Sequence, residues 1–111
     1  MNVRPREPTT ENDVYAAVVT LYTAIGAGIW PTRQFRRGPL RLRPGIPDLI
    51  VLLPRGKGVI FHELKAPKGK WLKGQQEFEA DCSMSGVTYL LGGLDAARDE
   101  LVRRGLLKVA A

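Results

Sequence analysis

The stretch PGIPDLIVLLPRGKGVIFHELKAP, Pro44 to Pro67, sets three charged residues where a buried sheet would carry Val, Ile or Leu: Asp48, Glu63 and Lys65. The runs DLIVLLP and GVIFHELKA read as strands joined through PRGKG as a tight hairpin. A turn centred between Arg55 and Gly56 places Asp48 opposite Glu63, with β-carbons roughly 5 Å apart. Alternation along the second strand then puts Val59, Phe61, Glu63 and Lys65 on one face and Ile60, His62 and Leu64 on the other.

Two ionised carboxylates that close repel each other, and burying them costs several kcal/mol unless something compensates. A divalent cation does so directly. Oxygen ligands, with no cysteine and with the sole histidine on the other face, suit Mg2+ or Mn2+ better than zinc. Lys65 then reaches a water or a phosphoryl oxygen beside the cation, which is the constellation phosphodiester hydrolysis needs. Taken alone, Glu-x-Lys in a strand reads as a salt bridge on a solvated face. The joint pattern of Pro-Asp opening one strand and Glu-x-Lys closing the next favours the metal site.

The elements around the hairpin follow from periodicity. Val14, Ala17, Val18, Leu21, Tyr22 and Ile25 recur at helical spacing, Thr10 with Asp13 resembles a capping box, and the glycines of GAG at 26–28 end that helix. IWPTRQF, interrupted by Pro31, reads as an edge or irregular strand. A helix is expected from about Leu72 to Ser85, then a strand in VTYLL, then a last helix capped by Asp95 and stopped by Gly105. The order is helix, three strands, helix, strand, helix. Residues 1–9 read as a flexible arm, and 10–111 as a single domain.

With 111 residues and a formal charge of +6, the chain fits one basic domain with an acidic partner, and nucleic acid is the commonest. A ribosome-type binder has the same composition. Arg33, Arg36, Arg37, Arg41 and Arg43 lie in one basic loop, and Lys68, Lys70 and Lys73 in or beside a second. As a group they are expected to track DNA phosphates. One cysteine, Cys82, excludes an internal disulfide and reads as a small buried residue. His62 reads as a core or sheet-surface residue, and Trp71 as either a stacking or a packing residue. No signal peptide or membrane span is recognised, and a cytoplasmic protein of a bacterial cell, or one encoded by a phage, is expected.

The residues GIPDLIVL at 45–52, FHELKAPKGK at 61–70 and Gln75 resemble the PD-(D/E)xK nuclease superfamily, and within it the virus-type replication-repair nuclease (VRR-NUC) domain. The resemblance runs from about Glu11 to Leu91. It implies an α/β, restriction-endonuclease-like αβββαβ core, with a mixed central sheet flanked by helices, to which this chain adds a C-terminal helix. It also implies that Asp48, Glu63 and the backbone carbonyl of Leu64 bind metal, that Lys65 is catalytic, and that Gln75 orients Lys65 or the attacking water.

Gln76 is adjacent, but Gln75 shares a helical stripe with Phe78 and Cys82 while Gln76 lies about 100° away. Glu11 matches an acid that helps bind metal in this superfamily, and reads equally as a first-turn acid favourable to the helix dipole. Lys73 departs from the family, which often carries a Ser or similar cap there. The implied function is a metal-dependent endodeoxyribonuclease, a homodimer acting on branched DNA such as Holliday junctions. The alternatives are a non-catalytic nucleic-acid-binding module, and a nuclease subunit active only within a larger repair or restriction complex.

Overall fold

The computed structural model describes residues 10–32, 45–65 and 73–109. Helix α1 (Glu11–Ala24) leads to strands β1 (Gly28–Pro31), β2 (Leu49–Leu52) and β3 (Val59–Leu64). Helix α2 (Lys73–Ser85), strand β4 (Thr88–Gly92) and helix α3 (Leu94–Arg103) follow. The strands form one sheet in the order β1-β2-β3-β4, antiparallel through β3 and parallel between β3 and β4. This is the expected element order and a mixed, restriction-endonuclease-like sheet flanked by helices.

The hairpin turn is Pro54–Lys57, closed by hydrogen bonds from Leu53 N–H to Gly58 O (2.8 Å) and from Lys57 N–H to Pro54 O (3.1 Å). Arg55 and Gly56 both have positive φ, 55° and 69°, as in a two-residue type I′ turn whose twist matches that of the strands. Its centre sets the register Leu49↔His62 through Leu52↔Val59.

That register divides the sheet into two faces. Leu49, Val51, Ile60 and Leu64 join Val14, Val18 and Tyr22 of α1 and Ala97 and Leu101 of α3 in the core. Removing such side chains from water supplies most of the fold's stability, about 1.5–3 kcal/mol each. His62 is buried on this same face, with its Nδ1 2.8 Å from the Tyr22 hydroxyl and its Nε2 3.0 Å from Gly92 O. Burial, opposed by the Gly92 carbonyl and Asp48, pushes its pKa from 6.5 down to about 4. The ring is therefore neutral, with Nε2–H donating to Gly92 and Nδ1 accepting from Tyr22. Burial, with Glu100 nearby, holds the Tyr22 hydroxyl protonated above its ordinary range. Helix α2 covers part of the opposite face, where Phe78 packs edge-on against Phe61 of β3 and tilted against Tyr89 of β4.

The three helices among the described residues end in the same device. Gly26, Gly86 and Gly105 take positive φ. The following residue reaches back to the last turn, as in Ala27 N–H to Tyr22 O, Val87 N–H to Cys82 O and Leu106 N–H to Leu101 O. At the other ends, the Thr10 hydroxyl accepts from Asp13 N–H at 3.1 Å as expected. Asp95, expected to cap α3, does not. The helix begins two residues earlier, at Leu94, its N-cap is Gly93 with no side-chain hydrogen bond, and Asp95 sits in the first turn. Strand β4 runs on to Gly92, so the chain must turn at the glycine pair.

Candidate active site

Asp48 stands one residue before β2, yet the ladder continues through it: Thr32 N–H donates to Asp48 O at 3.0 Å. Carrying the Leu49↔His62 register one step further sets Asp48 across from Glu63. Both side chains are buried, Asp48 with 5% and Glu63 with 3% of the residue exposed. Asp48 Oδ2 accepts the Leu64 N–H at 2.9 Å, which ties the Pro-Asp bend to the end of β3. In an extended strand a residue's N–H and C=O point to the same side, so the Leu64 carbonyl is directed to the Asp48 side as well.

Gln75 approaches from the first turn of α2. Its Nε2 donates to Glu63 Oε1 at 2.7 Å, and the residue is buried, whereas Gln76 is exposed. Gln75 and Cys82 are the buried residues of α2, with Phe78 between them on the sheet side. Burial, together with Asp81 and Glu79, pushes the Cys82 thiol up, so it stays protonated. Lys65 follows β3 directly, half-buried, with its N–H donating to Gly92 O at 3.2 Å.

Glycine makes this convergence possible. A Cβ on Gly45 would overlap the carbonyl of Gly74, so the loop before Asp48 lies backbone to backbone against the start of α2. The same approach brings Gln75 within reach of Glu63.

Asp48, Glu63, Gln75 and the Leu64 backbone thus meet in one place, with Lys65 next along the chain. Glu11 does not join them. It is exposed in the first turn of α1, and no group of three or more His, Cys, Asp or Glu placed to hold one ion occurs among the described residues. Its position at a helix N-terminus fits the dipole role instead. Lys73 is exposed at the start of α2. Arg33, Arg36, Arg37, Arg41, Arg43, Lys68, Lys70 and Trp71 lie outside the described residues.

The donor set is therefore two buried carboxylates on facing strands plus a backbone carbonyl. Every candidate ligand atom is a hard oxygen, and the paired buried charge is of the kind a divalent cation offsets. These residues fit Mg2+ or Mn2+.

No family model matches the chain. No curated protein matches it either. A solved structure described as a VRR_NUC domain does, with 26% identity, a TM-score of 0.65, and coverage of 86% of this chain and 96% of that one. The chain has the fold of a VRR_NUC domain. The likeness read from Asp48, Glu63, Lys65 and Gln75 is thus joined by a fold likeness over 86% of the chain. VRR_NUC is a nuclease fold of the PD-(D/E)xK superfamily, which makes a nuclease the first functional candidate for this chain.

Proposed function

We propose that this chain is a metal-dependent endodeoxyribonuclease that hydrolyses phosphodiester bonds, with branched DNA as its substrate and a homodimer as its working form. The observation that carries the reading is the seating of Asp48 against Leu64 N–H beside Glu63, which gathers three oxygen donors at the end of β3.

Asp48, Glu63 and the Leu64 carbonyl would hold the cation. When bound, it polarises the phosphodiester and lowers the pKa of water at the site. The chain's own groups do the rest. Leu64 N–H fixes Asp48 Oδ2, and Gln75 fixes Glu63 Oε1, so neither carboxylate has to reorganise as charge develops. The Lys65 ammonium follows Glu63 by two residues and offsets the extra negative charge as water adds to phosphorus and a phosphorus–oxygen bond breaks. In a two-fold assembly two such sites would make paired cuts on a symmetric junction.

The test is cleavage of labelled four-way junction, flap and linear duplex DNA with Mg2+ or Mn2+, comparing wild type with Lys65→Ala and Glu63→Gln. Junction cutting that drops by about two to three orders of magnitude in either variant, while junction binding survives, supports the reading. A wild-type chain that binds every DNA and cuts none overturns it in favour of a binding module.

A further inference from the structure

The sheet face that carries Asp48 and Glu63 is covered by α2 only over β3 and β4, where Phe78 sits on Phe61 and Tyr89. Its other half belongs to β1, β2 and the start of β3. The register aligns Trp30 with Ile50 and Phe61, and Gly28 with Leu52 and Val59. Trp30, Leu52 and Val59 stay 62%, 43% and 36% exposed. The indole runs back along β1 over Gly28, where a Cβ would stand 3.8 Å from its Nε1.

Three rows therefore follow one another along a single face. The first holds Asp48 and Glu63, the second Trp30 and Ile50, and the third Leu52 and Val59. Beyond them the hairpin tip presents exposed Arg55 and Lys57. The tip is held rigidly, because Arg104 at the end of α3 donates from Nη1 to Lys57 O at 2.6 Å, from Nη2 to Thr88 Oγ1 at 2.7 Å and from Nε to Glu100 at 2.6 Å.

We propose that this half-face, which no described residue covers, is a nucleic-acid platform, on which Trp30 stacks against an unpaired base of the substrate while Arg55 and Lys57 hold phosphates further along the same strand. The proposal rests on the nuclease reading for the identity of the substrate. Three side chains of these exposures fall well short of the ~800 Å² per partner that a stable protein interface needs. They do match the area of a base with its sugar. A basic chain with an exposed indole on the same face as a cationic tip is also the combination that single-stranded nucleic acid selects, aromatic stacking plus phosphate attraction. Trp30 lies one row, about 7 Å, from the acids along the strands and the tip about 23 Å, so the stacked base lies close to the scissile phosphate and the phosphates held at the tip a few nucleotides further along.

The test uses the full chain in chelator, where binding is separated from cutting. Trp30 fluorescence, isolated by Trp71→Phe, is read as oligothymidylate or a four-way junction is added. Quenching is expected, with Trp30→Ala weakening binding about tenfold and Trp30→Phe recovering most of it. Arg55→Ala and Lys57→Ala are each expected to lower the slope of log affinity against log salt by about 0.7.

Unchanged affinity in Trp30→Ala overturns the platform and leaves the nuclease reading standing if cleavage persists. A change of oligomeric state in Trp30→Ala, read by sedimentation, also overturns it, because the patch then belongs to an interface between copies. Quenching by DNA in a chain that cuts nothing with any divalent cation supports the platform and removes the nuclease reading.

Discussion

Gly45 and Gly74 meet backbone to backbone, and no side chain fits between them. Gly45 also takes a φ of +106°, which L side chains rarely adopt. The contact locks the bend before Asp48 to the turn of α2 that carries Gln75.

Gly45→Ala is therefore expected to displace the start of α2, costing about 2–4 kcal/mol from overlap and backbone strain together, and to lower cleavage at least tenfold. Gly86→Ala makes the fair comparison. It has positive φ but open space around it, so it should cost only about 1 kcal/mol and leave cleavage intact. Urea denaturation and cleavage rates of the two variants decide this. Equal losses would show that the close approach is not what positions Gln75.

The two adjacent glutamines should part company. Gln75→Ala removes the donor to a buried carboxylate oxygen and is expected to cost about 1–3 kcal/mol in stability while slowing cleavage. Gln76→Ala, at an exposed position, should stay within about 0.5 kcal/mol of wild type. Denaturation curves and cleavage rates measured side by side would read both.

Cation binding should register without any substrate. Mg2+ or Mn2+ at a hundredfold excess over its Kd is expected to stabilise the wild-type fold by about 2.7 kcal/mol. The gain should vanish in Asp48→Asn/Glu63→Gln, and chelator should return the wild type to its starting point. Thermal unfolding with and without each ion makes the measurement. A gain that survives the double substitution would place the ion elsewhere.

His62 gives the fold an acid limit. Its folded pKa of about 4 lies below the unfolded value of 6.5, so the unfolded chain binds more protons between them. The stabilising contribution is complete above pH 6.5 and is lost as pH falls through 6.5 toward 4, by about 3 kcal/mol. His62→Gln should flatten that part of the pH profile measured in chelator. An unchanged slope would assign the acid sensitivity to the carboxylates instead.

Much of the site was legible because it is built from local rules. The two-residue turn at Arg55 and Gly56 fixed which residues face each other, and strand parity then separated Glu63 from His62. Helical phase distinguished Gln75 from Gln76. What sequence missed depends on where elements stop or how they assemble. Asp95 looked like a cap because β4 was ended too early, and the backbone turns at Gly92 and Gly93 instead. Glu11 has the right type, but the placement of α1 leaves it out of any cluster with the two acids. Nothing in the sequence marks Gly45 as a contact residue, since its contact with Gly74 joins segments 29 residues apart in sequence. Trp30 gave no signal in IWPTRQF, because only the β1–β2 register reveals that it shares a face with the acids.

The Pro54–Lys57 turn has a further consequence. If one residue were added between Arg55 and Gly56 while the tight two-residue turn was kept, β3 would slip one step against β2 and exchange its two faces. Glu63 would then point into the apolar layer against Tyr22, and His62 would take its place under α2. A slip at a turn about 23 Å from the acids would thus separate them without touching either one. A three-residue loop with a bulge absorbs the same insertion at unchanged register, so the centre of the turn, rather than its length, is what a related chain must keep for its acids to stay opposite each other.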